Sequence, residues 1–280
     1  MTQYNQLVCF VFILSSIVAM ESYKLGKKTI LKFDSEEDVG IALAKYTAHL
    51  SEKFIKEKGS FSVVLSGGSL IYTMRFLTLP PYTDFVDWSK WSIFWVDERV
   101  VPLDDKKSNY KLAFDGFLSK VPIPSNQIYA IKDNLSPEGT ADDYEARLHD
   151  LVAKKILPLS EATGFPKFDL MLLGMGPDGH VASLFPNRNQ KFEKKRWVTF
   201  IKDSPKPPPP RITLTFPVIN SSSEIAMVIT GVELANTVKA VFSNNSDLPA
   251  AHVSAEEELT WFLDKDAASK LVKIEQVFEN

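Results

Sequence analysis

Residues 168–180 read FDLMLLGMGPDGH, a run apolar apart from Asp169 that meets three glycines and a proline and then ends on Asp178 and His180. A run without polar alternation predicts a strand over Phe168 to Met175 that is buried on both faces, as in a parallel sheet covered by helices on each side. The same grammar repeats outward from it. FSVVLSGGS (61–69), WSIFWV (91–96), QIYAI (127–131), EIAMVITG (224–231) and LTWFL (259–263) are further short apolar runs, several closed by glycine or by charge. Amphipathic segments lie between them. One opens on a cap-like Ser35 with acids in its first turn and stops at Gly59, and IYTMRFL (71–77) follows the SGGS turn. SNYKLAFDGFL is capped by Ser108 or Asn109, the next helix starts near Ser136, and VELANTVKAVFS (232–243) and a short DAASKLV (266–272) complete the set. Strands alternating with helices predict an α/β fold: a mostly parallel twisted sheet flanked by helices, Rossmann-like, in a single catalytic domain over residues 23–280. Crossovers should be right-handed, and a ligand should sit beyond the carboxyl ends of the strands.

Composition narrows the function classes. The 280 residues are 45% hydrophobic and 24% charged with a net charge of -3, so there is no basic field for nucleic acid, and any anion must be held by a few local cations. One cysteine, Cys9, permits no intrachain disulfide, and with four scattered histidines it leaves no zinc-type cluster. No metal or other cofactor is expected, and a reducing compartment, the cytoplasm, fits best. Leu7 to Met20 is an uncharged apolar run too short to span a bilayer, with no Lys or Arg before it and no clear cleavage site after it. It reads as an N-terminal extension over residues 1–22, with Met20 as an alternative start. The alternatives are a buried segment or a signal peptide that would place the protein in the secretory pathway.

Polar clusters close three of the strands, and the sheet rule places all three on one rim. Ser66, Gly67 and Gly68 present backbone without obstructing side chains, either as an anion cradle or as a tight turn. The spacing matches neither a Walker loop nor a dinucleotide fingerprint. Asp97 and Arg99 leave the second strand, as a charged exit or as part of a site. His180 is the side chain suited to general base work near neutral pH, and Asp178 in the same loop can orient its ring. SPKPPPPR (204–211) sets Lys206 and Arg211 on either side of four prolines. That segment is a solvated loop, or a stiff one that organises two cations for a dianionic phosphate.

Taken together, SGGSL, WVDERVVPLDDKKSNY, FDLMLLGMGPDGHVASLFP, DSPKPPPPRITLTFPVIN and the closing WFLD resemble the 6-phosphogluconolactonase family of the pentose phosphate pathway, over about residues 24–275. The resemblance implies an α/β fold related to the glucosamine-6-phosphate isomerases and metal-free hydrolysis of a phosphorylated sugar lactone. It makes His180 the general base and Asp178 its partner. Ser66, Gly67, Gly68, Arg99, Lys206 and Arg211 match positions that line the pocket and grip phosphate. Asp97, Asn109 and Ser183 lie in the motifs without an assigned role. The isomerases of the same fold carry a glutamate after the histidine, in a run like DGHIAFNEP. Here the run is DGHVASLFP, with Phe185 at that place. A non-catalytic sugar-phosphate-binding protein would keep the cations and dispense with the base.

Overall fold

The computed structural model describes residues 21–243 and 246–271. The expectations for the apolar N-terminal run, Met20 included, lie outside the described residues. A seven-stranded sheet is built from β1 (Glu21–Leu25), β2 (Lys28–Phe33), β3 (Phe61–Leu65), β4 (Trp91–Trp95), β6 (Leu170–Leu173), β9 (Glu224–Ile229) and β10 (Glu258–Asp264), in the order β1-β2-β10-β9-β6-β3-β4. Every neighbouring pair is parallel except β1 with β2, a hairpin that begins two residues inside the expected extension. A three-stranded antiparallel sheet, β5 (Asp97–Arg99), β8 (Arg211–Leu214) and β7 (Val198–Ile201), stands beside it.

Helices form where caps and apolar spacing agree. α1 (Glu36–Lys58) is capped by Ser35, whose side chain accepts the Asp38 N–H, and ends at Gly59. The short α2 (Ser69–Thr73) passes at Met74 into a tighter 3₁₀ turn. α3 (Asn109–Gly116) takes Ser108 as its cap, α4 (Pro137–Ala153) takes Ser136, and α5 (Ala235–Val241) follows a turn at Val232–Leu234. The strands bury side chains on both faces. Val63, Leu65, Ile93 and Leu172 pack toward Val39 and Leu43 of α1 and Ala113 of α3, whereas Val64, Phe94, Met171 and Met227 pack toward Tyr144 and Leu148 of α4 and Val238 of α5.

Two expected elements are absent in the described residues. QIYAI is no strand: Ser125–Gln127 is a 3₁₀ turn, and a single bridge, Ile128 to Ile93, touches the edge of β4. Pro122 and Pro124 just before it restrict the approach to that edge. Residues 266–271 of DAASKLV form turns, because the Asp264 carboxylate takes the N–H groups of Ala267 and Gly231 and pins the chain before a helix can propagate; Val272 lies outside the described residues.

Candidate active site

The strand order positions the site. After β3 the chain moves to β4 on one side, and after β6 it moves to β9 on the other, so adjacent strands β3 and β6 diverge at their carboxyl ends and leave a crevice. A cleft of about 160 Å³ opens there, lined by Ser66, Gly67, Gly68, Asp97, Arg99, Asn109, Gly176, His180 and Arg211. A larger hollow of about 600 Å³ adjoins it, but five acids, Asp34, Glu36, Glu233, Asp264 and Asp266, line it against the one cation Lys265, a wall that disfavours phosphate.

His180 is fixed from several directions. Its backbone carbonyl accepts the Gly176 N–H at 2.9 Å, and its ring lies so close to Gly176 that a Cβ there would meet the imidazole at 2.0 Å. Glycine at 176 is therefore a requirement of close approach. The loop is tied down further by Thr237, which donates to the Pro177 carbonyl at 2.7 Å, and by the Ala250 N–H on the Gly179 carbonyl at 3.0 Å. Phe185 packs beside the imidazole with ring centroids 4.6 Å apart. The position filled by glutamate in the isomerase pattern is thus an apolar wall, with Phe185 1% exposed.

Asp178 hydrogen-bonds Nδ1 of His180. Partial burial alone would raise the Asp178 carboxyl, but the His180 hydrogen bond and charge and the Lys206 ammonium outweigh it and hold the group well below the usual carboxylate range. Since Asp178 is an acceptor, Nδ1 of His180 carries a proton, and in the neutral ring the lone pair then belongs to Nε2. Lys206 Nζ stands 3.5 Å from the same Asp178 oxygen, which links the proline-rich loop to the base. Neither Asp178 nor Lys206 is among the residues lining the cleft, and Asp178 acts on it through His180.

The remaining predicted residues take different places. Arg99 donates through Nη1 to the Lys107 carbonyl at 2.7 Å, and its Nε has no hydrogen-bond partner among the described residues. Arg211 lines the cleft with only 3% of its surface exposed, and its guanidinium is committed to protein acceptors, unlike the free phosphate grip expected from sequence. Gly67 faces Asn109, and a Cβ there would meet the Asn109 Oδ1 at 1.9 Å. Glu98, which reads in the sequence as part of a charged strand exit, is 1% exposed and accepts the N–H groups of Arg99, Asn109 and Tyr110 and the Ser108 hydroxyl. It anchors the start of α3 and so sets Asn109 against the cleft. A caps-and-acids pattern could have signalled it, since an acid a few residues before a capped helix can satisfy the helix's first N–H groups. Thr237 carries no such signal.

Comparison with known proteins shows the family. Residues 34–261 match the family model described as glucosamine-6-phosphate isomerases/6-phosphogluconolactonase. The chain is 60% identical over 247 residues to a probable 6-phosphogluconolactonase 4, chloroplastic, of Oryza sativa subsp. indica, covering 86% of this chain and 76% of that one. It is 54% identical over 252 residues to a probable 6-phosphogluconolactonase 5 of Arabidopsis thaliana, covering 88% of this chain and 100% of the relative. The crystal structure of 6-phosphogluconolactonase from Thermotoga maritima superposes with a TM-score of 0.72 at 31% identity, over 85% of this chain and 100% of that one. The chain belongs to the glucosamine-6-phosphate isomerase/6-phosphogluconolactonase family.

Proposed function

We propose that the chain is a 6-phosphogluconolactonase that hydrolyses 6-phospho-D-glucono-1,5-lactone to 6-phosphogluconate with His180 as general base. One observation carries this reading. His180 sits in the switch-point cleft with Nδ1 on Asp178, leaving Nε2 as the acceptor, and Phe185 closes the place that the isomerase pattern gives to a glutamate. His180 Nε2 takes a proton from water as the water oxygen bonds to the lactone carbonyl carbon. The tetrahedral intermediate collapses by breaking the bond to the ring oxygen, which leaves with the proton returned by the imidazolium. Lys206 and Arg99, with the Ser66–Gly68 turn, hold the phosphate and so fix where the carbonyl lies. A general base contributes about 10² to 10⁴ in rate, enough for an ester that also opens unaided.

The reaction needs no metal or cofactor in this reading, because water activation falls to His180. Among the described residues no helix is long and apolar enough to cross a membrane. We place the protein in the cytoplasm on the strength of its single cysteine. The rice relative's name makes the plastid the competing compartment, and imaging of a C-terminal fluorescent fusion with and without residues 1–20 separates them. The test of the activity is a coupled assay with freshly generated lactone, corrected for spontaneous opening. Hydrolysis above background supports the reading, and ketose formation from glucosamine 6-phosphate without lactone hydrolysis would replace it.

A further inference from the structure

Four consecutive prolines, Pro207–Pro210, give the loop carrying Lys206 a row of carbonyl acceptors with no N–H groups among them. Those acceptors are nonetheless met. Arg211 Nη2 donates to the Lys206 carbonyl at 2.9 Å and the Pro207 carbonyl at 3.3 Å, and its Nε donates to the Pro208 carbonyl at 3.1 Å. The Ser204 N–H closes on the Pro209 carbonyl and the Val100 N–H on that of Pro210. A donor-only fork has been matched to an acceptor-only strand of chain.

The other edge of the guanidinium faces the loop of the base. Arg211 Nη1 donates to the Ser183 hydroxyl at 3.3 Å, and that hydroxyl donates to Asp97 Oδ2 at 2.7 Å. Arg211 and Asp97 stand 4.0 Å apart. Ser183 is fully buried, three residues beyond His180, and Phe185 of the same loop lies under the Arg211 guanidinium at 5.6 Å. The path closes on itself. From Arg211 it runs through the loop backbone to Lys206, from Lys206 to Asp178 and His180, and back along the chain to Ser183.

We propose that Arg211 is a positioning residue and not a phosphate ligand: with Ser183 and Asp97 it forms a buried clamp that holds the loop of the base His180 in place. This rests on the lactonase reading above. Displacement by about 1 Å of groups that must act together can cost about 10²-fold in rate, so the clamp acts on turnover. A phosphate ligand would act first on substrate binding.

The test uses the full-length enzyme, Arg211→Lys and Ser183→Ala, each with the phosphorylated δ-lactone and with the lactone lacking phosphate, and with inorganic phosphate as a competitive inhibitor. Lysine keeps the charge but supplies one point where the fork serves three carbonyls. The expected result is a kcat loss of about tenfold or more for Arg211→Lys, similar on both lactones, with KM and the phosphate inhibition constant within about threefold of wild type. Ser183→Ala should lose kcat on both lactones as well. The proposal is overturned if Arg211→Lys raises KM for the phosphorylated lactone and the phosphate inhibition constant by about tenfold while hydrolysis of the unphosphorylated lactone is untouched. Should Arg211→Lys fail to fold, Ser183→Ala decides alone, because a fully buried hydroxyl cannot touch phosphate. Wild-type kinetics in that variant would overturn the clamp. Wild-type turnover and its loss in His180→Asn report on the lactonase reading separately.

Discussion

Lys206 Nζ lies 3.5 Å from the Asp178 oxygen that also holds His180 Nδ1, so the cation assigned to substrate and the base assigned to chemistry share one carboxylate. Replacing that carboxylate separates orientation from binding. Asp178→Asn can present its NH₂ to Nδ1 and stabilise the wrong tautomer, with the proton on Nε2. Its kcat should fall by about 10² or more while KM changes by less than about threefold. A variant with full kcat would show that the tautomer is set by something else.

Activity should rise with pH through one ionisation, because the base works only when neutral. Asp178 does not contribute this limb: burial is outweighed by His180 and Lys206, its carboxyl stays well below the usual carboxylate range, and it is ionised throughout. The measurement is kcat/KM against pH with hydroxide-driven opening subtracted at each point. A flat profile over about pH 5 to 8 would contradict a histidine base.

Glu98 gives a separate dependence of stability on pH. Burial pushes its carboxyl from 4.5 up to about 7, against the N–H groups of Asn109, Tyr110 and Arg99 that favour the carboxylate, and the Asp97 charge adds to the rise. Between these values the folded protein keeps a proton that the unfolded chain has lost. The contribution is therefore complete below about pH 4.5 and is lost as pH rises through about 7, amounting to about 3 kcal/mol at most. Glu98→Gln cannot titrate, so denaturant melts of wild type minus variant should fall across that window. A difference constant with pH would contradict the assignment.

The water-activation route assigns no step to a metal. Dialysis against a strong chelator should leave kcat unchanged. A large loss restored by zinc or magnesium would require a different nucleophile.

Much of this architecture is written locally. The caps Ser35, Ser108 and Ser136 stand where hydroxyl-led helices begin, and the buried strands show as apolar runs. The convergence of Ser66–Gly68, Arg99 and His180 on one cleft follows from strand ends sharing a rim. The small sheet is not legible in this way. β5 follows β4 after the single residue Val96, and its partner β8 is more than a hundred residues away, just after the prolines. Tertiary pairing, not local propensity, makes it. The burial of Arg211 escapes for the same reason. Beside four prolines it reads as a solvated cation, and only its meeting with Ser183 and Asp97 from distant loops reveals where its donors go.

The proposed role of His180 as base is measured most directly by steady-state kinetics of His180→Asn on freshly generated phosphorylated lactone with background opening subtracted. Asparagine keeps polarity and some hydrogen bonding but has no basic lone pair of useful strength, so kcat should fall by about 10² or more with KM changed little. A folded variant that keeps wild-type kcat, or that loses only substrate affinity, would contradict the account.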